Sequence, residues 1–269
     1  MFSSPSGIVF LNPLSVKSCP LLSFRLMTIT LHKILYAVLI ASIFLTACRR
    51  EGQGDFKAGM DAYSDGDFKT ALEIWRRLAQ AGDPAAQTNL GFLYYEGKGV
   101  ARNYEEALKW YRMAALTGYP DAAFNLGVAY SEGKGVQPDK SQALHWYQLA
   151  GEAGYAPAQV ILGNLYFRGD GIAADQKTGA DWYLKAAEED DVVAQFLIAN
   201  LYVTGQGVPE DLIQAYKWLL IAEGANHPDA KKTAEEREKL IVDRLGPAQV
   251  EEAEKQAKEW IAKKREKKN

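Results

Sequence analysis

The sequence predicts an all-α protein, an α-solenoid built from stacked antiparallel helix pairs. The main observation is a register of 36 residues that several residue types share. A fixed period of this size indicates a repeat architecture, in which each unit buries its apolar face against its neighbours. The register is carried by Trp110, Trp146, Trp182 and Trp218, by Tyr94, Tyr130, Tyr166 and Tyr202, by Ala86, Ala122, Ala158, Ala194 and Ala230, and by the glycine pairs Gly97/Gly99, Gly133/Gly135, Gly169/Gly171 and Gly205/Gly207.

Residues 84–119 show how one unit forms two helices. Asp83 is a good N-cap and Pro84 is tolerated at the first helical position, so we predict that the first helix starts there. Apolar residues then recur at helical spacing as far as Gly97, which favours the left-handed turn that ends a helix. Asn103 is positioned to cap a second helix. Two antiparallel helices joined by a short glycine loop, repeated along the chain, form a solenoid.

The pattern Ala-x-x-x-Leu-Gly-x-x-Tyr-x-x-Gly-x-Gly-Val, followed by Asp-x-x-x-Ala-x-x-Trp-Tyr-x-x-Ala-Ala, resembles the Sel-1-like repeat, a 36-residue relative of the tetratricopeptide repeat. The copies depart from it at Asn103, Gly151, Gly179, Ala199 and Leu219. The resemblance implies a right-handed superhelix whose first helices line a concave surface. It also implies roles such as the scaffolding of envelope complexes, of polysaccharide-export machinery or of signalling assemblies.

Segments of different composition flank the repeats and are expected to cap them, because a solenoid needs polar-faced end units. The basic tail is expected to be solvated, and binding of phospholipid headgroups is the alternative. The predicted divisions are a misassigned start (1–26), a signal peptide (27–47), a linker (48–54), a tetratricopeptide-like helix pair (55–83), four Sel-1-like repeats (84–227), and capping helices with the basic tail (228–269).

The N-terminal region predicts lipid anchoring. Residues 27–47 combine a basic start, a short apolar stretch and small residues at the end, which are the features of a secretory signal peptide. With Cys48 they resemble the lipobox of bacterial lipoproteins, which implies that Cys48 is acylated. By the sorting rule of that family, Arg49 implies the outer membrane, with the protein facing the periplasm. An ordinary cleaved signal with an incidental cysteine is the alternative. Residues 1–26 fit no targeting pattern, and we expect Met27 to be the true start.

Composition excludes several classes of function. Three of the 31 basic residues and none of the 34 acidic residues precede Cys48, so the chain from Arg49 onward carries a formal charge of −6. Such a surface gives no sign of nucleic-acid binding. His145 and His227 have no cysteine or second histidine at ligand spacing, so we expect no metal, no other cofactor and no histidine-based catalysis. The Gly-Lys-Gly-Val loops follow helices and lack the Lys-Ser/Thr ending of a phosphate loop, which favours a turn.

The positions that break the repeat are candidates for a binding surface. On the first helix of each unit, three positions vary, and their offsets of 4 and 3 place them on one helical face. Aromatic and amide side chains suit recognition of a polypeptide. Packing between adjacent first helices is the alternative for each of them. The candidate groove residues are Thr88, Phe92 and Tyr95, then Phe124, Val128 and Ser131, then Val160, Asn164 and Phe167, and finally Phe196, Asn200 and Val203.

These features together predict a non-catalytic scaffold, lipid-anchored in the bacterial cell envelope, that binds a protein or peptide partner of the envelope in the groove. One alternative is a protein that binds or hydrolyses cell-wall material, peptidoglycan or polysaccharide. Family members linked to that activity are rich in paired cysteines, which this chain lacks. A cytosolic scaffold is the other alternative, should the signal be spurious.

Overall fold

A computed structural model describes residues 54–224 and 230–268. The segment 1–26, the predicted signal peptide and Cys48 lie outside these residues. The described backbone consists of helices joined by turns and contains no strand, which confirms the all-α prediction for this part of the chain. The helices are α1 (54–64), α2 (Phe68–Gln80), α3 (Pro84–Glu96), α4 (Tyr104–Ala115), α5 (Pro120–Glu132), α6 (Lys140–Glu152), α7 (Ala156–Arg168), α8 (Gln176–Glu188), α9 (Val192–Thr204), α10 (Leu212–Glu223), α11 (Ala230–Val242) and α12 (Pro247–Lys268).

Each first helix has defined signals at its ends, as α3 illustrates. A carboxylate oxygen of Asp83 accepts a hydrogen bond from the Ala86 amide at 2.7 Å, and Pro84 occupies the first turn. The helix ends at Gly97, whose φ of 73° is left-handed and whose amide donates to the carbonyl of Leu93. A left-handed glycine also ends α5, α7 and α9, so the predicted turn recurs at every repeat.

A polar side chain at the N-cap begins each second helix of the repeats, at Asn103, Asp139, Asp175 and Asp211. At α8, one oxygen of Asp175 accepts from the Thr178 amide at 3.1 Å and the other from the Thr178 hydroxyl at 2.7 Å. The hydroxyl bond, followed by the amide bond, holds the pKa of Asp175 below its ordinary value, because both bonds favour the ionised carboxyl.

We expect Asp175→Asn to make folding less sensitive to acid. The pKa of Asp175 is lower in the folded chain than in the unfolded chain, so the ionised cap contributes stability above the ordinary carboxyl pKa. That contribution is lost as the pH falls through the lowered value. Asparagine caps a helix about as well and does not titrate. Urea unfolding at pH 7 and pH 3 should therefore differ less in Asp175→Asn than in wild type. Asp181→Asn, at an exposed non-capping position, is the control, and an unchanged pH dependence in Asp175→Asn would contradict the account.

Small and aliphatic side chains form the interior of the stack. The alanine of the register is fully buried at Ala86, Ala122, Ala158 and Ala194. One helical turn later, the side chain is again fully buried at Leu90, Leu126, Leu162 and Ile198. Of the tryptophans on the second helices, Trp110, Trp182 and Trp218 are buried and Trp146 is half-buried. The tryptophan register is therefore part of the core, as the sequence predicts.

The two helices of a repeat approach closely where a glycine faces a tyrosine. A Cβ atom on Gly163 would lie 2.5 Å from the ring of Tyr183, which is closer than real contacts allow. The same arrangement joins Gly91 to Tyr111 and Gly127 to Tyr147. The fourth repeat has Ala199 and Leu219 at these two positions, and both are buried. The two departures from the repeat pattern therefore compensate for each other. Alanine is larger than the usual glycine on the first helix, and leucine is smaller than the usual tyrosine on the second helix.

The second glycine of each loop lies against the preceding unit. Gly99 has a φ of 71°, and a Cβ atom there would lie 2.5 Å from the carbonyl oxygen of Phe68, at the start of α2. Gly135 has a φ of 75°, and its Cβ atom would lie 2.7 Å from Cβ of Tyr104, at the start of α4. Only glycine fits this combination of conformation and contact, so these loops allow consecutive units to stack closely.

The last two helices pack on the end of the fourth repeat. The rings of Trp218 on α10 and Trp260 on α12 lie 5.6 Å apart, edge to face, and Trp218 is 2% exposed. Arg244 pairs with Glu210 at 2.6 Å across the same junction. Helix α12 continues to Lys268, so the basic tail is helical as far as it is described. None of the described helices is both long enough and apolar enough to cross a membrane.

Candidate functional site

The candidate groove residues lie on α3, α5, α7 and α9. Phe124 and Phe167 contact tyrosines of the second helices, and Phe92 contacts Tyr63 of α1. Ser131 and Asn200 are exposed, and nine of the other positions are half-buried. Thr88 is the exception: it is 6% exposed, and its hydroxyl donates to the carbonyl of Pro84 at 2.8 Å. Thr88 therefore does not line an accessible surface, because its small side chain turns back onto its own helix. We call the remaining eleven positions the first-helix surface.

The aromatic residues of this surface are held by other aromatic rings. Tyr95 packs edge to face on Tyr104, with ring centroids 5.0 Å apart. Phe124 lies 5.7 Å from Tyr147 and 5.3 Å from Tyr155. Tyr95 and Phe124 are both half-buried, so part of each side chain stays accessible. Tyr104 and Tyr147 lie on second helices, and Tyr155 is the N-cap of the next first helix, α7. Of these contacts, only the one between Phe124 and Tyr155 joins adjacent first helices, which is the packing expected as the alternative to binding.

The two asparagines differ in what they offer. The Asn164 amide donates to the carbonyl of Val160 at 3.0 Å, and its oxygen accepts from the Tyr183 hydroxyl at 3.1 Å. Asn164 is thus engaged within the protein, which argues against its predicted role of hydrogen-bonding a peptide backbone. Asn200 is exposed, and its side chain makes no hydrogen bond to the described residues. Asn200 can therefore hydrogen-bond a peptide backbone, the role that was predicted for both asparagines.

A polar contact joins the first two repeats at this surface. The Tyr95 hydroxyl donates to a carboxylate oxygen of Glu132 at 3.0 Å, and Lys134 pairs with the same carboxylate at 2.8 Å. Burial, followed by the Glu132 carboxylate, raises the pKa of Tyr95 to about 12. The bond from Lys134, supported by the one from Tyr95, lowers the pKa of Glu132. The ionised carboxyl is therefore matched by one cation, and this part of the surface has little net charge.

The loop residue between the two glycines contacts the preceding unit in a repeat-specific way. Lys98 donates to the Tyr63 hydroxyl at 2.6 Å, and its ammonium group lies 5.2 Å from the ring of Phe68 and 5.4 Å from the ring of Phe92. In the third repeat the equivalent Asp170 forms an ion pair with Lys140, which occupies the position equivalent to Phe68. The lysine of the Gly-Lys-Gly-Val loop thus interacts with aromatic rings, in agreement with its interpretation as a turn.

We expect Lys98→Ala to lower the free energy of unfolding by about 1 kcal/mol, because it removes cation–π contacts with three rings and a hydrogen bond. Asp170→Ala removes only an exposed ion pair and should change it by less than about 0.5 kcal/mol. Urea unfolding of both variants beside wild type measures the difference. Equal losses in the two variants would show that the rings around Lys98 contribute nothing specific.

A cavity of about 250 Å³ opens at the C-terminal end of the first-helix surface, between α9, α10 and α11. It includes two residues of that surface and otherwise belongs to the second helix and the first capping helix. Its lining residues are Ala199, Asn200, Val203, Leu219, Arg237, Leu240 and Ile241. This cavity was not predicted from the sequence.

Two further sets of polar contacts link neighbouring units, and neither set was predicted from the sequence. The tyrosine hydroxyls of the register accept hydrogen bonds from side chains 18 residues earlier: Arg76 to Tyr94, Arg112 to Tyr130, and Gln148 to Tyr166. Buried glutamine amides donate to carbonyls eight residues earlier: Gln87 to Ala79, Gln159 to Gly151, and Gln195 to Ala187. Both sets recur at intervals of 36 residues, and this periodicity is the sequence signal by which they could have been predicted.

The acidic side chains of the described residues are not grouped into a metal-binding cluster or around a shifted carboxyl pair. Residues 54–224 and 230–268 contain no cluster of three or more His, Cys, Asp or Glu side chains that could hold a metal ion. The described carboxyls whose pKa is shifted are at separate places in the fold: Asp67 and Asp175 cap helices, Glu132 lies at the first-helix surface, and Glu238 lies on α11.

Solved structures of similar proteins have the same fold. A Sel1 repeat protein from Oxalobacter formigenes is 32% identical over 63% of this chain and 49% of its own, with a TM-score of 0.58. A protective antigen of uropathogenic Escherichia coli strains that displays an SLR fold is 29% identical over 78% of this chain and 46% of its own, with a TM-score of 0.62. The chain therefore spans about half the length of these two relatives. No curated protein sequence matches it.

The family model for the Sel1 repeat matches four consecutive segments of the chain, residues 84–119, 120–155, 156–191 and 192–227. Together they make up just over half of the 269 residues. Each segment contains one of the first helices that starts at an N-cap and ends at a left-handed glycine. With its solenoid of stacked helix pairs, the chain belongs to the Sel1 repeat family.

Proposed function

We propose that this protein is a non-catalytic scaffold, lipid-anchored in the bacterial cell envelope, that binds a segment of a partner protein along the first-helix surface. Sel1 repeats are generally protein-interaction scaffolds. The observation that carries the proposal is the row of half-exposed aromatic side chains on successive first helices, at Phe92, Tyr95, Phe124, Phe167 and Phe196. Aromatic residues supply much of the binding energy at protein interfaces, which fits a polypeptide partner.

The packing of these rings supports binding as well as stability. A side chain that must be ordered on binding costs about 0.5–1.5 kcal/mol. Tyr95 is already held by Tyr104, Tyr111 and Glu132, and Phe124 is held by Tyr147 and Tyr155. A partner that contacts their open edges therefore meets side chains that are already fixed, and this ordering cost is small.

Lipid attachment at Cys48 would tether the described helices to a membrane. Six residue steps separate Cys48 from residue 54, where the described α1 begins, and an extended chain of that length spans at most about 20 Å. Each buried methylene of an acyl chain contributes about 0.8 kcal/mol, so two or more chains hold a protein stably at a bilayer. The proposed partner is thus a protein of the envelope, within reach of the periplasmic side of the outer membrane.

Affinity capture from detergent-solubilised envelopes tests the binding proposal. The baits are the full chain and the variants Ser131→Arg and Asn200→Arg, which add bulk and charge at the two exposed positions of the first-helix surface. Leu116→Arg makes the same kind of change at the C-cap of α4, a position that is 84% exposed. A protein captured by wild type and by Leu116→Arg, and lost by both surface variants, supports the proposal. A set of captured proteins that is the same for all four baits contradicts it.

Metabolic labelling with radioactive palmitate tests the anchor separately. Wild type should incorporate the label and fractionate with membranes, and Cys48→Ser should do neither. An unlabelled wild-type protein in the soluble cytoplasmic fraction would support a cytosolic scaffold. An unlabelled protein in the periplasm would mean an ordinary cleaved signal.

A further inference from the structure

The cavity between α9, α10 and α11 exists because the fourth repeat differs from the third. In the third repeat, the Tyr183 ring lies beside Phe167, and its hydroxyl donates to Asn164. The equivalent positions in the fourth repeat are Leu219, Val203 and Asn200, and all three line the cavity. Leucine is shorter than tyrosine and valine is smaller than phenylalanine, so the volume that a tyrosine ring fills in the third repeat is open here.

An exposed guanidinium group, that of Arg237, lies at this cavity. Cζ of Arg237 lies 5.0 Å from the ring centroid of Phe196, and one of its N–H groups donates to the carbonyl of Phe196 at 3.2 Å. Arginine has five N–H donors, so four remain. Within residues 54–224 and 230–268, no carboxylate lies within ion-pair distance of Arg237. The group therefore has no counter-ion in the part of the chain that the structure describes, and its planar fork suits a carboxylate.

We propose that this cavity binds the C-terminal residue of a partner polypeptide, with an apolar final side chain inside and the terminal carboxylate on Arg237. Five of the seven lining residues are aliphatic, which suits the apolar side chain of the ligand. Arg237 belongs to the same lining, which suits the terminal carboxylate. A volume of about 250 Å³ is below the roughly 300–1,000 Å³ of most small-molecule pockets, and it suits one apolar side chain. The exposed amide of Asn200 can bond the peptide backbone beside it.

This inference rests on the proposed function, because Asn200 and Val203 belong to the first-helix surface. It adds the chemistry of the partner: a chain that ends in an apolar residue such as leucine, valine or phenylalanine, with a free carboxylate. The end of that chain would occupy the fourth repeat, and the residues before it would extend along the first helices towards the first repeat.

Fluorescence anisotropy with defined peptides tests the proposal on the full chain in mild detergent. The probes are fluorescein-labelled hexapeptides that end in leucine with a free carboxylate, in the same leucine as an amide, or in serine with a free carboxylate. We expect the first to bind, and amidation or the serine ending to raise Kd at least tenfold. The variant Arg237→Gln should also raise Kd at least tenfold for the first peptide and change nothing for the amide.

A variant that fills the cavity provides the second arm. Ala199→Gly/Leu219→Tyr restores the glycine–tyrosine pair of the other repeats, so it should fold and abolish binding of the leucine peptide. Ala199→Gly alone keeps the cavity and should bind. Equal binding of the free and amidated peptides, wild-type binding by the filled variant, or no binding of the leucine peptide at millimolar concentration would each overturn the proposal. Binding of decanoate without the peptide would instead identify a fatty-acid site and would also overturn it.

The same filled variant separates this inference from the proposed function. If it still captures an envelope protein that Ser131→Arg loses, the first-helix surface binds a partner and the cavity proposal fails alone. If all these variants capture the same proteins as wild type, both proposals fail.

Discussion

Replacing Trp218 with alanine is expected to lower the free energy of unfolding by about 3–5 kcal/mol, the range for deletion of a large buried aromatic side chain. Trp218 is 2% exposed and lies in one apolar cluster with residues of α8, α9, α11 and α12. Its ring also contacts Trp260 edge to face, so the substitution removes the centre of the junction between the fourth repeat and the C-terminal helices. Chemical denaturation measures the loss.

The effect of Trp218→Ala should also be local. Units of a solenoid contact only their neighbours, so its stability is close to a sum of unit and interface contributions. Hydrogen exchange should therefore speed up in α9 to α12, while α2 to α4 keep their protection. Trp146→Ala, at a half-buried position in the second repeat, is the control and should speed exchange around α6 by a smaller amount. Loss of protection spread evenly over all helices would contradict a nearest-neighbour solenoid.

Gly163→Ala is expected to lower the free energy of unfolding by about 2 kcal/mol, although alanine is the better helix former by about 1 kcal/mol. The new methyl group would lie 2.5 Å from the ring of Tyr183. The ring would have to move, and its hydroxyl would lose the bond to Asn164. Overpacking of this kind therefore outweighs the gain in helix propensity.

The fourth repeat supplies the compensating change for Gly163→Ala. The double variant Gly163→Ala/Tyr183→Leu reproduces the pair Ala199/Leu219, so we expect it to recover most of the stability that the single variant loses. Tyr183→Leu alone leaves space over the glycine and should be destabilising. A double-mutant cycle by urea denaturation gives the coupling between the two positions. Additive effects would mean that the two helices do not meet at this pair.

Much of the fold could be predicted because its determinants repeat. The period of 36 residues, the N-caps and the left-handed glycines are local signals, and each occurs several times in one register. A misleading signal in one copy is outweighed by the same signal in the other copies. The burial of the tryptophan register follows from the same regularity, because a residue type kept in step with buried alanines faces the same interior.

The binding surface was harder to predict because periodicity identifies a helical face and not the element that covers it. Thr88 and Asn164 lie on the predicted face, yet their polar groups bond within the protein. Ala199 and Leu219 were visible as departures from the pattern, but their contact and the cavity beside them depend on three-dimensional packing. Arg237 lies outside the repeats altogether, so no register could connect it with Asn200.

The most direct test of the central claim is site-specific photo-crosslinking in intact envelopes. A benzophenone amino acid is placed at Ser131, on the first-helix surface, and in a separate protein at Leu116, the exposed C-cap of α4. If the first-helix surface binds a partner, illumination should join a single envelope protein to the chain from position 131 and not from position 116. The absence of a crosslink from position 131, or the same crosslinked products from both positions, would contradict it.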